Sequence, residues 1–329
     1  MNNIAYDSRW NGQHGIGRFA TEVSSRLKFS HYLTSNDSPT QLFSEYRLSR
    51  WANECGAKAL YSPGYIPPYN SKLPFAFTIH DLNHIDVPHN SSILKKIYYK
   101  TIIRPAIDKA YKILTVSEFS KARIVDWSNC DDSKVHVVGN GVSDFFYAAH
   151  SPMMPGYHYF FCCSNRRGHK NEARLLHAFA NSKLGKDFKL VLSGNADKKI
   201  SETIRSLKIS DQIVFTGKVS EVALASWYKG AIATIFPSIY EGFGLPIIES
   251  MASGTPVIAS NITSLPEVGG DAAYYFDPYD LNSISDAMSK IVHDENLRQM
   301  MRIKGLDQAR TFSWDKTSEL VGKALDGII

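Results

Sequence analysis

Residues 236–260 read FPSIYEGFGLPIIESMASGTPVIAS, and they set two carboxylates, Glu241 and Glu249, around the run Gly242, Phe243, Gly244, Leu245, Pro246. Glycine lets a backbone approach a ligand closely and turn sharply. Proline suits the first turn of a helix, where its missing N–H costs nothing. The spacing therefore predicts a strand ending near residue 238, a glycine turn, and a short helix that Gly254 terminates. Free N–H groups at such a helix start favour an anion such as phosphate. Each carboxylate also has a plainer reading. Glu249 could complement the helix dipole, worth about 0.3–1 kcal/mol, and Glu241 could be a solvated loop residue. Taken together, carboxylates beside a phosphate cradle suit a ligand with a diphosphate and several hydroxyls, that is, a sugar nucleotide.

A second charged turn, SNRRGHKN (164–171), follows an apolar run and precedes a helical one. It puts Arg166, Arg167 and Lys170 at a helix N-terminus, suited to neutralising a departing diphosphate; the alternative is a solvated basic turn. The stretch NGQHGIGR (11–18) fits the glycine spacing of a P-loop but continues with Arg18 and Phe19 in place of Lys and Ser or Thr. It also lacks G-x-G-x-x-G. Gly15 and Gly17 then fit a backbone turn facing a diphosphate or an acceptor. His80, followed by Asp81, closes an apolar run; a lone histidine is more often packed than catalytic. No Asp-x-Asp triplet occurs, so the expectation is charge neutralisation by Arg, Lys and helix dipoles, with no metal and no cofactor.

These residues need elements to hold them. The chain has 329 residues, 43% hydrophobic and 21% charged, which suits two globular domains. Near-continuous apolar runs at 75–82, 112–117, 134–142, 157–164, 188–194, 212–217, 231–238 and 255–260 read as parallel strands covered on both faces. Helical stretches such as 171–184 and 222–230 alternate with them, as in doubly wound α/β sheets. The Pro- and Gly-containing stretch 147–159 reads as a linker. The expected organisation is therefore 1–150, 151–310, and a C-terminal helix in 311–329 packing back toward the first domain. Four cysteines without C-x-x-C spacing fit a reducing cytoplasm. Neither a secretion signal nor a membrane-spanning run is apparent. The net charge of +5 has its surplus in residues 1–150, too scattered for nucleic acid. Within it, 91–112 places Lys96, Lys100 and Arg104 at i, i+4 spacing, with Ile93, Ile97 and Ile102 read as lying largely on other faces. That segment is a candidate peripheral membrane contact or a solvated helix face.

The ordered series GIGRF (15–19), TIHDL (78–82), ILTVSEFSK (113–121), VVGNGV (137–142), RRGHKNEARLLHAF (166–179), the two-glutamate turn and LPEVGGDAAYYFDP (265–278) resembles glycosyltransferase family 4 along most of the chain. The resemblance implies a GT-B fold, two Rossmann-like doubly wound domains facing a central cleft, and retaining transfer of a sugar from a nucleotide diphosphate. It implies that Lys170 and Asn171 bind the diphosphate, with Arg166 standing in for an arginine the family often has where this chain has Ser164. It implies that His80 lies against the donor sugar, that Glu249 holds the ribose, and that Glu241 holds the transferred sugar with the backbone N–H groups of residues 242–245. The pattern is most like bacterial enzymes of O-antigen, capsule or exopolysaccharide synthesis, many using GDP-mannose. The implied partners are a GDP- or UDP-sugar donor and a glycan or lipid-linked acceptor. Two other readings stay open: a UDP-sugar epimerase of the same fold, and a non-catalytic sugar-nucleotide-binding subunit.

Overall fold

The computed structural model describes residues 1, 3–13, 15–35 and 37–329. The chain divides into two units, Met1–Gly141 with Ser313–Ile329, and Val142–Phe312. Each is built on a six-stranded sheet in which every pairing is parallel.

In the first unit the strands are β1 (Ile4–Tyr6), β2 (His31–Tyr32), β3 (Ala59–Ser62), β4 (Phe75–Thr78), β5 (Lys112–Thr115) and β6 (Val135–Val137). Their order is β2-β1-β3-β4-β5-β6. The central strands are buried along their length, as expected for a sheet with helices on both faces. Leu60, Phe77, Ile113 and Ile103 share one core. The C-terminal helix Trp314–Leu325 belongs here: it packs on helix Ile16–Arg26 and on β5. Arg26 Nε meets Asp315 Oδ1 at 2.6 Å, and the Tyr111 hydroxyl donates to the Asp326 carbonyl at 2.8 Å.

In the second unit the strands are β7 (His158–Cys162), β8 (Phe188–Leu192), β9 (Ile213–Phe215), β10 (Ala233–Phe236), β11 (Val257–Ser260) and β12 (Ala273–Phe276). Their order is β12-β11-β10-β7-β8-β9. Residues 142–150, assigned from sequence to the first domain, belong to this unit. Phe146 is buried against the Tyr228 ring, 6.1 Å between centroids, so the apolar content of that stretch draws it in.

Strand order decides where each sheet can hold a ligand. Ligands of open α/β sheets bind beyond the carboxyl ends of the strands, where the winding reverses. The reversal falls between β1 and β3 in the first unit and between β7 and β10 in the second. The loop after β1 is anchored by an ion pair the sequence reading did not single out. Arg9 donates to both oxygens of Asp7, at 2.7 and 2.8 Å, and to Ser44 Oγ at 3.0 Å. The two side chains keep 1% and 0% exposure. Removing one partner of so buried a pair leaves an uncompensated charge. Asp7→Asn should therefore cost about 3–5 kcal/mol in denaturant unfolding; a change within experimental error would mean that the pair does not hold this end of the sheet.

Candidate functional site

The loops that follow β7 and β10 meet at the reversal of the second sheet, and backbone contacts stitch them together. The N–H of Ile239 donates to the His169 carbonyl at 2.8 Å. Asn171, left-handed at φ 58°, donates from its amide to the carbonyls of Pro237 and Pro278, each at 2.9 Å. Its Oδ1 accepts from Arg174 at 2.8 Å. The Asn171 side chain thus ties the ends of three segments together, and its amide hydrogens are engaged by protein. From sequence it was expected to bind donor; its side chain also holds the loop in place.

Across this seam Lys170 Nζ lies 2.5 Å from Glu241 Oε1, and each side chain retains 17% exposure. Burial alone would lower the lysine and raise the carboxyl. For both groups the partner's charge and hydrogen bond outweigh it, so Lys170 titrates above its ordinary 10.5 and Glu241 below its ordinary 4.5. The pair is ionised at neutral pH. Its partial exposure leaves the ammonium within reach of a second anion. His169, buried beside it, is pushed down to about 4 by burial, against the opposing Glu241 charge, and is neutral.

The turn after Glu241 is held from beneath. Ser264, fully buried, donates its hydroxyl to the carbonyls of Glu241 and Phe243 at 2.9 Å each. The Phe243 ring is buried edge-on to Phe312, 5.6 Å between centroids; only the backbone of this residue is available to a ligand. Gly244 adopts φ 107°, a conformation side-chain-bearing residues rarely take, and caps helix Leu245–Ala252 with Pro246 in its first turn. No side chain caps that helix start. Glu249 lies one turn in, 6% exposed, and accepts from the Tyr228 hydroxyl at 3.2 Å.

Arg166 is also elsewhere engaged. Its guanidinium pairs with Glu172, donates to the carbonyls of Ser193 and Asn195, and lies over the Phe215 ring at 5.3 Å. Glu172 sits within reach on the following helix and pairs with the guanidinium that the sequence offered to a diphosphate. Arg167, next to it, is exposed.

In the first unit, His80 follows β4 and its Nε2 meets the Pro63 carbonyl at 2.9 Å. Burial pushes the imidazole down to about 4 despite that bond. A neutral ring donating from Nε2 leaves Nδ1 as an acceptor. The His80 carbonyl accepts from Ser120 Oγ at 3.0 Å, and the Phe19 ring packs edge-on to the imidazole at 4.9 Å. Gly15 caps helix Ile16–Arg26 at φ 49°. Gly17 has a packing reason of its own: a Cβ there would lie 2.9 Å from Gly12 Cα, so the loop folds onto the first helical turn. Among the described residues no group of three or more His, Cys, Asp or Glu could hold a metal ion, and no helix is long and apolar enough to cross a membrane.

The positioning contacts of Asn171, Ser264 and Tyr228 were not legible in the sequence, because their partners lie far along the chain. The family described as Glycosyl transferases group 1 matches residues 151–308, and Glycosyltransferase Family 4 matches residues 15–144. The chain is 31% identical to the O-antigen chain mannosyltransferase B of Escherichia coli over 252 residues, 72% of this chain and 66% of that protein. It is 33% identical to the O-antigen chain mannosyltransferase RfbU of Salmonella typhimurium over 221 residues, 65% of this chain and 60% of that protein. The chain thus spans just under two thirds of these relatives. Among solved structures, Anabaena Alr3699/HepE in complex with UDP and glucose superposes with a TM-score of 0.79 at 14% identity, covering 99% of each chain. At that identity the likeness concerns the fold, which is GT-B.

The ion pair has a pH signature. A carboxyl lowered in the folded state stabilises above its unfolded value and loses that contribution as pH falls through the folded one. A raised lysine stabilises below 10.5 and loses its contribution as pH rises beyond it. The stability difference between wild type and Glu241→Gln should hold steady from about pH 5 to 10 and shrink below the ordinary 4.5. A difference that grows toward acid would contradict an ionised pair.

Proposed function

Because the chain belongs to the glycosyltransferases of group 1 and family 4, we propose that it transfers a hexose, mannose from GDP-mannose, to a hydroxyl of a glycan or lipid-linked glycan in cell-surface polysaccharide synthesis. The names of its relatives support mannose and O-antigen. The observation that carries the reading is the partly exposed Lys170–Glu241 pair at the sheet reversal, beside an uncapped helix start.

The donor diphosphate lies against the N-terminal turn of helix Leu245–Ala252 and within reach of Lys170. Glu249, oriented by Tyr228, accepts from the ribose hydroxyls. Glu241 accepts from hydroxyls of the transferred sugar while keeping the lysine in place. The bond from the anomeric carbon to the phosphate oxygen breaks as the acceptor oxygen attacks on the same face, and the acceptor proton passes to the departing phosphate. Configuration is retained. Charge grows on the diphosphate as it leaves, and preorganised positive charge there lowers the barrier without a metal. Residues 242–245 contribute backbone N–H groups, apart from any contact by the Phe243 ring. Arg166 and Asn171 act indirectly, by holding the loop that carries Lys170. In the first unit, the helix start at Gly15 and the neutral His80 are the groups of that unit's own sheet end offered to a ligand, and the work is done in the cytoplasm.

Turnover measured with excess chelator should equal turnover without it, and Lys170→Ala should cut it on the order of 10²–10³-fold, the scale of one lost oxyanion contact. Glu249→Ala should weaken calorimetric binding of the bare nucleoside diphosphate by roughly 1.5–3 kcal/mol. Loss of turnover in chelator, restored by Mg²⁺ or Mn²⁺, or a fully active Lys170→Ala variant, would refute this reading.

A further inference from the structure

Three loops of the first unit meet at the reversal of its sheet, one from the carboxyl end of each of the adjacent strands β1, β3 and β4. They carry aromatic rings that the chemistry at Lys170 and Glu241 does not use. Trp10 follows β1, Tyr65 follows β3 and His84 follows β4.

The indole of Trp10 is fixed in place. Gly64 packs so close to it that a Cβ there would fall 2.3 Å from indole Cε2, and the Tyr65 ring closes on it at 5.3 Å between centroids. Trp10 keeps 9% exposure, and its buried Nε1–H has no hydrogen-bond partner among the described residues. Tyr98 packs against the same small cluster, and its buried hydroxyl has no partner either. Burial pushes that phenol well above its ordinary 10.0, so it stays protonated and can donate. A buried donor left unsatisfied costs its full desolvation, and folded chains ordinarily pair such groups. Two of them in one aromatic cluster, at the end of the sheet where ligands bind, call for an occupant that brings oxygen.

Tyr65 sets what else the occupant must have. The residue is half-buried, and its neighbours hold its ring: Tyr99 lies near-parallel at 6.3 Å and 23°, and His84 edge-on at 6.0 Å. An aromatic face is electron-rich. A pyranose presents the complement, a ring face of weakly positive C–H groups bordered by hydroxyls whose oxygens accept hydrogen bonds. A bare phosphate lacks the C–H face, and an alkyl chain lacks the oxygens. We infer that Tyr65 is the stacking platform, and the Trp10 indole and Tyr98 hydroxyl the hydrogen-bond donors, of a subsite for one pyranose ring of the acceptor glycan. That the ring is the acceptor's rests on the proposed transfer, in which Lys170, Glu241 and Glu249 of the second unit hold the sugar nucleotide. The binding of a pyranose does not rest on it.

Saturation-transfer NMR on the full chain tests the subsite without turnover, with methyl α-mannopyranoside as probe and mannitol as an open-chain polyol. Wild type should bind the pyranoside at millimolar concentration, and mannitol at least about ten-fold more weakly. Tyr65→Ala should weaken pyranoside binding about ten-fold, and Tyr65→Phe should restore it. Trp10→Phe should weaken it about five-fold. Thermal melts matching wild type will show that the variants are folded, and the Tyr65 pair carries the test if Trp10→Phe melts early. No turnover of GDP-mannose, with pyranoside binding still lost in Tyr65→Ala, would overturn the transfer reading and uphold the subsite. Pyranoside binding undetectable in wild type, no stronger than that of mannitol, or indifferent to Tyr65→Ala while lost in Glu241→Ala, would each overturn the inference.

Discussion

The ammonium of Lys170 and the carboxylate of Glu241 sit 2.5 Å apart, largely withdrawn from water. Taking two charges out of solvent costs several kcal/mol per ion, and an apolar pair of similar size often serves stability as well or better. In the proposed reaction, the remaining 17% exposure of each side chain gives the arrangement its use. It is open enough for an incoming anion to share the ammonium and dry enough for that sharing to be strong. Much of the second unit is arranged to keep this geometry. Asn171 and the Ile239 N–H fasten the two loops to each other. Ser264 fixes the carbonyls on either side of Gly242. Glu172 and two carbonyls immobilise Arg166 at the base of the Lys170 turn.

The first unit solves a similar problem with different groups. Its sheet also reverses beside its first strand, and the loop there is held by the buried Asp7–Arg9 pair. His80 links the end of β4 to the end of β3 through Pro63, and Phe19 ties it to the helix that Gly15 begins. The result is a rigid polar rim on a parallel sheet in both halves. Rigid elements hold a reacting group to the fraction of an ångström that catalysis needs, where loops alone do not.

Legibility in the sequence followed the range of the interaction concerned. The central strands, such as Phe188–Leu192 and Ala233–Phe236, were readable because burial on both faces demands an unbroken apolar run. The strands Ile4–Tyr6 and His31–Tyr32 were not, being only three and two residues long. The glycine turn and Pro246 were readable because they encode local backbone geometry. The position of Asn171 was legible, but its side-chain hydrogen bonds were not, since its carbonyl partners lie 66 and 107 residues away. The same holds for the contacts of Arg166 with the Ser193 and Asn195 carbonyls, which come from the end of the next strand.

The central claim is that Lys170 and Glu241 act as one unit on the donor. A double-mutant cycle in kcat/KM, using Lys170→Ala, Glu241→Ala and both together, addresses it directly. If the pair is a unit, the double variant is scarcely slower than Lys170→Ala alone, and the coupling energy exceeds roughly 1 kcal/mol. Losses that add within about 0.3–0.5 kcal/mol, as for independent sites, would contradict the account.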